Sequence, residues 1–262
     1  MSETPPALAP VERPQRFHFE WVLRSILRPR STYPKLVEQP ADTWRTPLLV
    51  LTLTALLVVL VAGPLRREAA LSAPAELPPD FQYYSPEQQE QFLQAQQATS
   101  SNTFVYLFPA LGALARVWGG WLIAGALLHL AVTLLGGRAT MRTMMNLVAW
   151  AGLPFAVRSA VRGVYMLASN RLILAPGLSG LAVSDGGTLD LIRVNLLESL
   201  DLYFIWHLLL LVAAVRSAGS PGIGKAWTSV LLTQVVALAL EIGPAVLIAK
   251  LSGLTVIRPF LF

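Results

Sequence analysis

Five long apolar stretches constrain what this chain can fold into. The hydrocarbon core of a bilayer is about 30 Å thick, so a helix rising about 1.5 Å per residue needs about 20 apolar residues to cross it. Stretches of this length, or nearly so, occupy residues 46–63, 117–135, 143–166, 202–217 and 226–250. The fourth is short, and we expect its span to begin near Val194. A helix that crosses the bilayer is predicted for each stretch.

The composition agrees with a membrane protein. Of the 262 residues, 54% are hydrophobic and only 13% are charged, whereas soluble domains carry about 25% charged residues. We therefore predict an all-α fold, a polytopic bundle of five transmembrane helices. The absence of cysteine excludes disulfides, thiolate nucleophiles and cysteine metal sites. The net charge of +5 is attributed to cytoplasmic loops and not to nucleic-acid binding.

The distribution of basic residues predicts the orientation. Residues 1–45, 136–142 and 218–225 alternate onto one side of the membrane and, with Arg216 at its edge, hold eleven Arg and Lys residues. The opposite side holds six. Cytoplasmic loops carry the excess of Lys and Arg. We therefore expect a multi-pass protein of the cell membrane with a cytoplasmic amino terminus and a carboxy terminus outside.

Three regions are predicted along the chain. Residues 1–16 are rich in Pro, Glu and Arg and are expected to form a disordered cytoplasmic tail. Residues 17–45 are expected to form a cytoplasmic interfacial helix and a linker. Residues 46–262 form the five-helix membrane domain, in which 64–103 is an outer loop. The loop contains a Ser-Pro-Glu helix start and is too polar to hold a core, so it is interpreted as a cap or a docking handle.

The segment "FHFEWVLRSILR" has the pattern of an amphipathic helix lying in the cytoplasmic membrane interface. One face is apolar and the opposite face is polar or charged. The residues predicted to contact lipid or a partner are Phe19, Val22, Leu23, Ile26, Arg24 and Arg28, with Leu27 on the apolar face and Glu20 and Ser25 on the polar one. The alternative is a helix packed on the spans or on itself.

Arg158 and Arg162 lie four residues apart inside the third stretch, so they share one face of a helix. An unpaired guanidinium in hydrocarbon costs several kcal/mol. Arg158 and Glu241 both lie about 22 Å from the inner ends of their spans, which predicts that they pair. Arg162, about 28 Å along its span, is expected to pair with Glu198 or Asp201 at the outer edge of the fourth span.

Arg116, at the outer start of the second span, completes a candidate intramembrane charge network that sums to zero charge. Its members are Arg116, Arg158, Arg162, Glu198, Asp201 and Glu241. Pairing removes much of the desolvation cost of such charges. Two interpretations stay open. The network is either a polar, hydrated pocket open to the outside, or a set of snorkelling arginines with a structural ion pair that locks the bundle.

No pattern of catalytic or metal-binding residues is complete. The stretch "GSPGIGKA" at 219–226 approaches a phosphate-binding loop, but Ala226 replaces the Ser or Thr that would hold magnesium, and no strand precedes it. His18, His129 and His207 are predicted at different depths, without carboxylates at ligand spacing. We therefore expect no enzyme, no metal and no cofactor.

Three segments in the same order resemble the Yip1-domain family. They are "ILRPRSTYPKLVEQPADTWRTPLLVLTLTALL", "LLHLAVTLLGGRATMRTMMNLVAWAGLPFAV" with its span proline Pro154, and "LDLYFIWHLLLLVAAVRSA" followed by "GIGKAW", in which Asp201, Trp206, Lys225 and Ala226 match the family pattern. The resemblance covers about residues 25–250. The long 64–103 segment, and Glu241 with Pro244, depart from it.

The resemblance implies five spans, a cytoplasmic amino terminus and no catalysis. Eukaryotic members act in vesicle traffic and bind small GTPases, and some bacterial members are accessory to ABC-type export systems. The Ala-, Leu-, Arg- and Pro-rich, cysteine-free composition favours a bacterial inner-membrane member. The predicted function is thus a non-enzymatic accessory or scaffold protein of membrane transport, export or trafficking machinery. Its expected partners are the lipid bilayer and membrane proteins such as ABC-type exporter components.

A second function class is a small transporter or channel that uses the charged network as an outer-leaflet pocket. Transporters usually contain inverted repeats and broken helices. Five spans do not divide into two equal halves, and no internal repeat is visible, which disfavours this class. Gly119–Gly120, Pro154 and Pro244 are places where helices could break, so the alternative stays open.

Overall fold

The computed structural model describes residues 17–39, 41–72, 77–78, 80–182, 188–219 and 222–254. Within these ranges the chain is mainly helical and forms no strand, which confirms the predicted all-α class. The predicted disordered tail, residues 1–16, lies outside the described residues.

Eleven α-helices are present in the described ranges. They are α1 (Glu20–Leu27), α2 (Pro29–Glu38), α3 (Arg45–Ser72), α4 (Pro86–Ala98), α5 (Phe108–Leu114), α6 (Gly120–Leu134), α7 (Met141–Ala151), α8 (Leu153–Ser169), α9 (Thr188–Ser199), α10 (Leu202–Ser217) and α11 (Ile223–Leu254). Short helical turns add Phe81–Tyr83 and Ser179–Leu181, of 3₁₀ type, and Thr103–Leu107 and Ala115–Gly119, of π type.

Four helices in the described ranges are long and apolar enough to cross a membrane. They are Arg45–Ser72, Thr103–Leu134, Met141–Ser169 and Ile223–Pro244. A fifth crossing exists if Leu189–Ser199 and Leu202–Ser217, which meet at an angle of 67°, form one broken span. The predicted bundle of transmembrane helices is therefore confirmed, with four spans, or five if the bent pair crosses as one.

Two helices extend further than the apolar stretches predicted. α3 continues through Pro64 to Ser72, so the polar segment between the first two spans is shorter than 64–103. The second long helix begins at Thr103 and not near 117, because α5 and the two π-type turns continue it past Arg116. A single charged residue ended the predicted stretch, but one charge does not end a helix whose flanks are apolar.

The central element is the helix pair α7–α8. In its most apolar window, 67% of the residues are buried inside the protein, against 22–33% for the other three long helices. The core forms where α7 meets α2, α6 and α10, and Ala226 and Val230 at the start of α11 belong to the same cluster. Its largest fully buried side chains include Trp150, Tyr33, Leu36, Leu128, Met144, Leu147, Leu153 and Leu211. Burial also raises the pKa of Tyr33, so this core phenol stays neutral.

A polar side chain on α7 bonds the backbone that leads into the first transmembrane helix. The first N–H groups of any helix lack partners within it. Asn146 Oδ1 accepts from the backbone N–H groups of Thr43 (3.1 Å) and Trp44 (3.2 Å), which lead into α3. Trp150 Nε1 also donates to Thr43 Oγ1 at 3.1 Å. The linker before the first span is thus fixed to the centre of the bundle.

We expect Asn146→Leu to lower the thermal stability of the detergent-solubilised protein, because it leaves two largely buried N–H groups without an acceptor. Each such group costs about 1–3 kcal/mol. Asn146→Asp keeps an acceptor oxygen and should lose less. Equal melting temperatures for Asn146→Leu and the parent would contradict this role.

Candidate functional site

The candidate site lies where α9 ends and α10 begins. Asp201 Oδ2 is 3.3 Å from Nη1 of Arg158 and 3.8 Å from Nη2 of Arg162, both on α8. The Asp201, Arg158 and Arg162 side chains are 14%, 21% and 30% exposed. One partly buried carboxylate therefore faces two guanidinium groups.

Asp201 has a second task, which explains the bend in the fourth span. Its Oδ1 accepts the backbone N–H of Phe204 at 2.8 Å and so forms the N-cap of α10. An Asp at an N-cap satisfies one of the unpaired N–H groups and favours the start of a new helix. The same carboxylate thus starts α10 and neutralises the arginines of α8.

An aromatic contact connects this cluster to the interior. The guanidinium carbon of Arg158 lies 4.7 Å from the centre of the Phe155 ring, a cation–π geometry. The Phe155 ring in turn lies 4.7 Å from the imidazole of His207, which is buried on α10. The charged cluster and the buried histidine are therefore joined by one aromatic ring.

His207 binds a backbone carbonyl that the break between α7 and α8 leaves without its helical hydrogen bond. Phe155 N–H bonds to Gly152 O, so Ala151 O is free of that helical bond. His207 Nδ1 lies 2.7 Å from Ala151 O and must donate, because a carbonyl can only accept. Its Nε2, at 3.3 Å from Gln234 Nε2 on α11, is then the acceptor. The contacts fix a neutral imidazole that ties α7, α10 and α11 together.

The second ion pair lies elsewhere on the bundle. Arg116 Nε is 3.4 Å from Glu241 Oε1, and the two side chains are 77% and 49% exposed at the protein surface. This pair joins the second long helix to α11.

The structure brings five of the six predicted network residues into ion pairs, but the partners differ from the prediction. The expected Arg158–Glu241 pair is wrong, because Arg158 faces Asp201 and Glu241 faces Arg116. Matched depth did not decide partners, since α8 packs on α3 and α10 whereas α11 packs on α6, α9 and α10. Arg162 has Asp201, one of its two expected partners, and Glu198 lies exposed at the end of α9.

Some of the residues predicted on α1 face the protein core, and the others are exposed. Ile26 is 8% exposed and Val22 packs against the same core, so these two face the protein. Phe19 and Leu23 are 56% and 69% exposed, and Leu27 is 70% exposed. Arg24 and Arg28 are also exposed. The alternative of a helix packed on the spans thus holds for one side of α1, which packs on α7 and α8. The other side presents an apolar stripe, and its contact with lipid or a partner stays a prediction.

The remaining candidate positions are engaged in structural bonds. Lys225, at the phosphate-loop-like stretch, donates from Nζ to Leu135 O at 3.1 Å and joins α11 to the end of α6. In the ranges that the structure describes, no three His, Asp or Glu side chains are grouped closely enough to hold a metal ion.

A family model for the Yip1 domain matches residues 23–244. The chain belongs to the Yip1-domain family. The match runs from α1 to Pro244. The cluster around Asp201 and the Arg116–Glu241 pair therefore lie within the family's domain. No curated protein and no solved structure matches the chain. As a Yip1-domain protein with several apolar helices, it is a multi-pass membrane protein in contact with the lipid bilayer.

We expect Asp201→Ala to destabilise the protein strongly in detergent, because it leaves two guanidinium groups unpaired and α10 without its cap. Breaking a buried ion pair costs about 3–5 kcal/mol, and partial exposure places this cluster at the low end. Asp201→Asn keeps the capping oxygen and should lose less. Thermal unfolding that is unchanged in Asp201→Ala would exclude a structural role.

Proposed function

We propose that the protein is a non-enzymatic scaffold or accessory protein of membrane trafficking or export machinery. It lies in the cell membrane with its amino terminus in the cytoplasm. The observation that carries the proposal is the surface of α1, which is anchored to the bundle and leaves an apolar stripe and basic side chains uncovered. Family membership supports the class, because Yip1-domain proteins take part in trafficking.

The surface of α1 has three sectors. One sector packs on the bundle through Trp21, Val22, Ser25 and Ile26. The second is the exposed stripe Phe19–Leu23–Leu27, whose spacing of four residues places it along one line of the helix. The third carries Arg24 and Arg28. A helix of this kind presents a fixed and oriented apolar surface, which is what a partner or a lipid interface requires.

The basic sector suits a cytoplasmic membrane surface. Each Lys or Arg near anionic head groups contributes about 1 kcal/mol. Arg24 and Arg28 lie beside the apolar stripe, so lipid contact and partner contact would use adjacent sectors of one helix. Residues 17–45 thereby act as the cytoplasmic docking unit of a membrane domain that begins at 46, and we propose ABC-type exporter components as one class of partner.

The bonding of the polar groups supports a role without catalysis. His207, Asp201 and Lys225 are each held in contacts that stabilise helix ends or junctions. One observation favours transport instead: the break between α9 and α10 brings two arginines and an aspartate together, and broken helices line transporter sites. Transport is the second candidate function.

The orientation can be tested in the cysteine-free chain. We expect Gln91→Cys, on the exposed helix α4, to react with a membrane-impermeant maleimide added to intact cells, because this segment is proposed to lie outside. Lys35→Cys, exposed on α2, should react only after permeabilisation. The reversed pattern would contradict the proposed topology.

The docking role predicts that Leu23→Asp with Leu27→Asp removes the membrane proteins that co-purify with the parent, because both side chains are exposed and their loss leaves the bundle packed. Leu23→Met with Leu27→Met is the matched control and should keep them. The measurement is quantitative mass spectrometry of co-purified proteins at equal abundance. An unchanged set of neighbours would remove the main support for the scaffold function. Val22 and Ile26 are unsuitable test positions because they pack inward.

A further inference from the structure

The ion pair between Arg116 and Glu241 lies on the outside of the bundle. Its side chains are 77% and 49% exposed, whereas those around Asp201 are 14–30% exposed. The two residues project from the second long helix and from α11, which pack against each other. No part of the chain that the structure describes therefore covers this pair fully.

Both residues lie within the apolar length of their helices. The helix Thr103–Leu134 has 32 residues, and any run of about 20 residues taken from it contains Arg116. α11, Ile223–Leu254, also has 32 residues, and any such run contains Glu241. The pair therefore belongs to the part of each helix that crosses the bilayer, in the hydrocarbon or at its edge, wherever the bilayer lies along these helices.

An ion pair that faces lipid has too few hydrogen-bonding partners. Charged side chains in membrane spans face the interior of a bundle or a hydrated cavity, because hydrocarbon supplies no hydrogen-bonding partner. The guanidinium of Arg116 has more N–H donors than one carboxylate oxygen can satisfy. A further polar group from outside the chain would complete the pair and cover it.

The helix surface around Arg116 is open to close approach. Gly112, Gly119 and Gly120 lie four before, three after and four after Arg116, on the same face, and no heavy atom lies within 4 Å of where their side chains would begin. Arg116 itself lies in the π-type turn Ala115–Gly119, a distortion frequent at functional positions. Glycines allow helix backbones in membranes to approach each other.

We propose that this face binds a second copy of the chain, related by a two-fold axis along the membrane normal. Each Arg116 then lies between its own Glu241 and the partner's Glu241. A two-fold interface must be self-complementary. One positive and one negative charge at the same height meet this condition, because each faces the opposite charge of the other copy. The four charges alternate in sign and sum to zero. A partner with a single charge would leave an excess charge in the membrane.

The test exchanges charges between copies. Arg116→Glu gives a chain with two glutamates at the site, and Glu241→Arg gives a chain with two arginines. Each variant is expressed with two different tags, alone and together with the other variant, and reconstituted in nanodiscs. We expect the parent to co-purify with itself, neither single variant to do so, and the two variants to co-purify with each other. The double variant Arg116→Glu/Glu241→Arg restores the alternation and should associate like the parent.

Cross-linking tests the same face with the native charges, should a charge variant fail to fold. We expect Gly119→Cys to be cross-linked between copies by a short bis-maleimide, giving twice the mass of the 28.5 kDa chain. Leu60→Cys, 64% exposed on α3, is the control and should stay at the mass of one chain. A monomeric parent, equal cross-linking at both positions, or recovery of a different protein cross-linked at Gly119→Cys would overturn the proposal.

Discussion

Polar groups inside the membrane need partners within protein, and the end of the bundle where α8 meets α10 is arranged around that constraint. Asp201 is the clearest case, because one carboxylate both starts α10 and faces the two arginines of α8. Without those arginines the Asp201 carboxylate would have no charged partner. Without the carboxylate, the two guanidinium groups would have none. The bend of 67° between α9 and α10 occurs at this carboxylate.

The same constraint applies to the backbone. The break at Gly152 releases Ala151 O, which His207 takes up, and the start of α3 receives the side-chain oxygen of Asn146. Irregular backbone at membrane depth is tolerated only where protein or water satisfies it. Both compensating side chains come from other helices, so these contacts position the helices as well as satisfying their ends. α7 is central because it takes part in both contacts.

The proposed function uses the part of the molecule that this constraint leaves free. α1 is attached through one sector, and its second apolar sector has no partner in the described chain. A surface held against the bundle in a fixed orientation suits docking better than chemistry. Arg116 and Glu241, on two long apolar helices, form the other incomplete feature. The chain thus presents two separate surfaces, one proposed for other proteins or lipid and one for its own copy.

The sequence by itself determined that the protein lies in a membrane, that it is helical with about five crossings, and which family it belongs to. Apolar length and motif order are properties of the chain alone. It also identified five of the charged residues that pair, and it placed them at similar depth because the rise per residue is constant along a helix. Only the tertiary structure decided that Arg158 meets Asp201 and that Glu241 meets Arg116. It likewise decided that Ile26 turns inward while Leu23 stays exposed. The reason is that partners depend on how each helix is rotated and which neighbour it packs against, and neither is encoded in spacing along one helix.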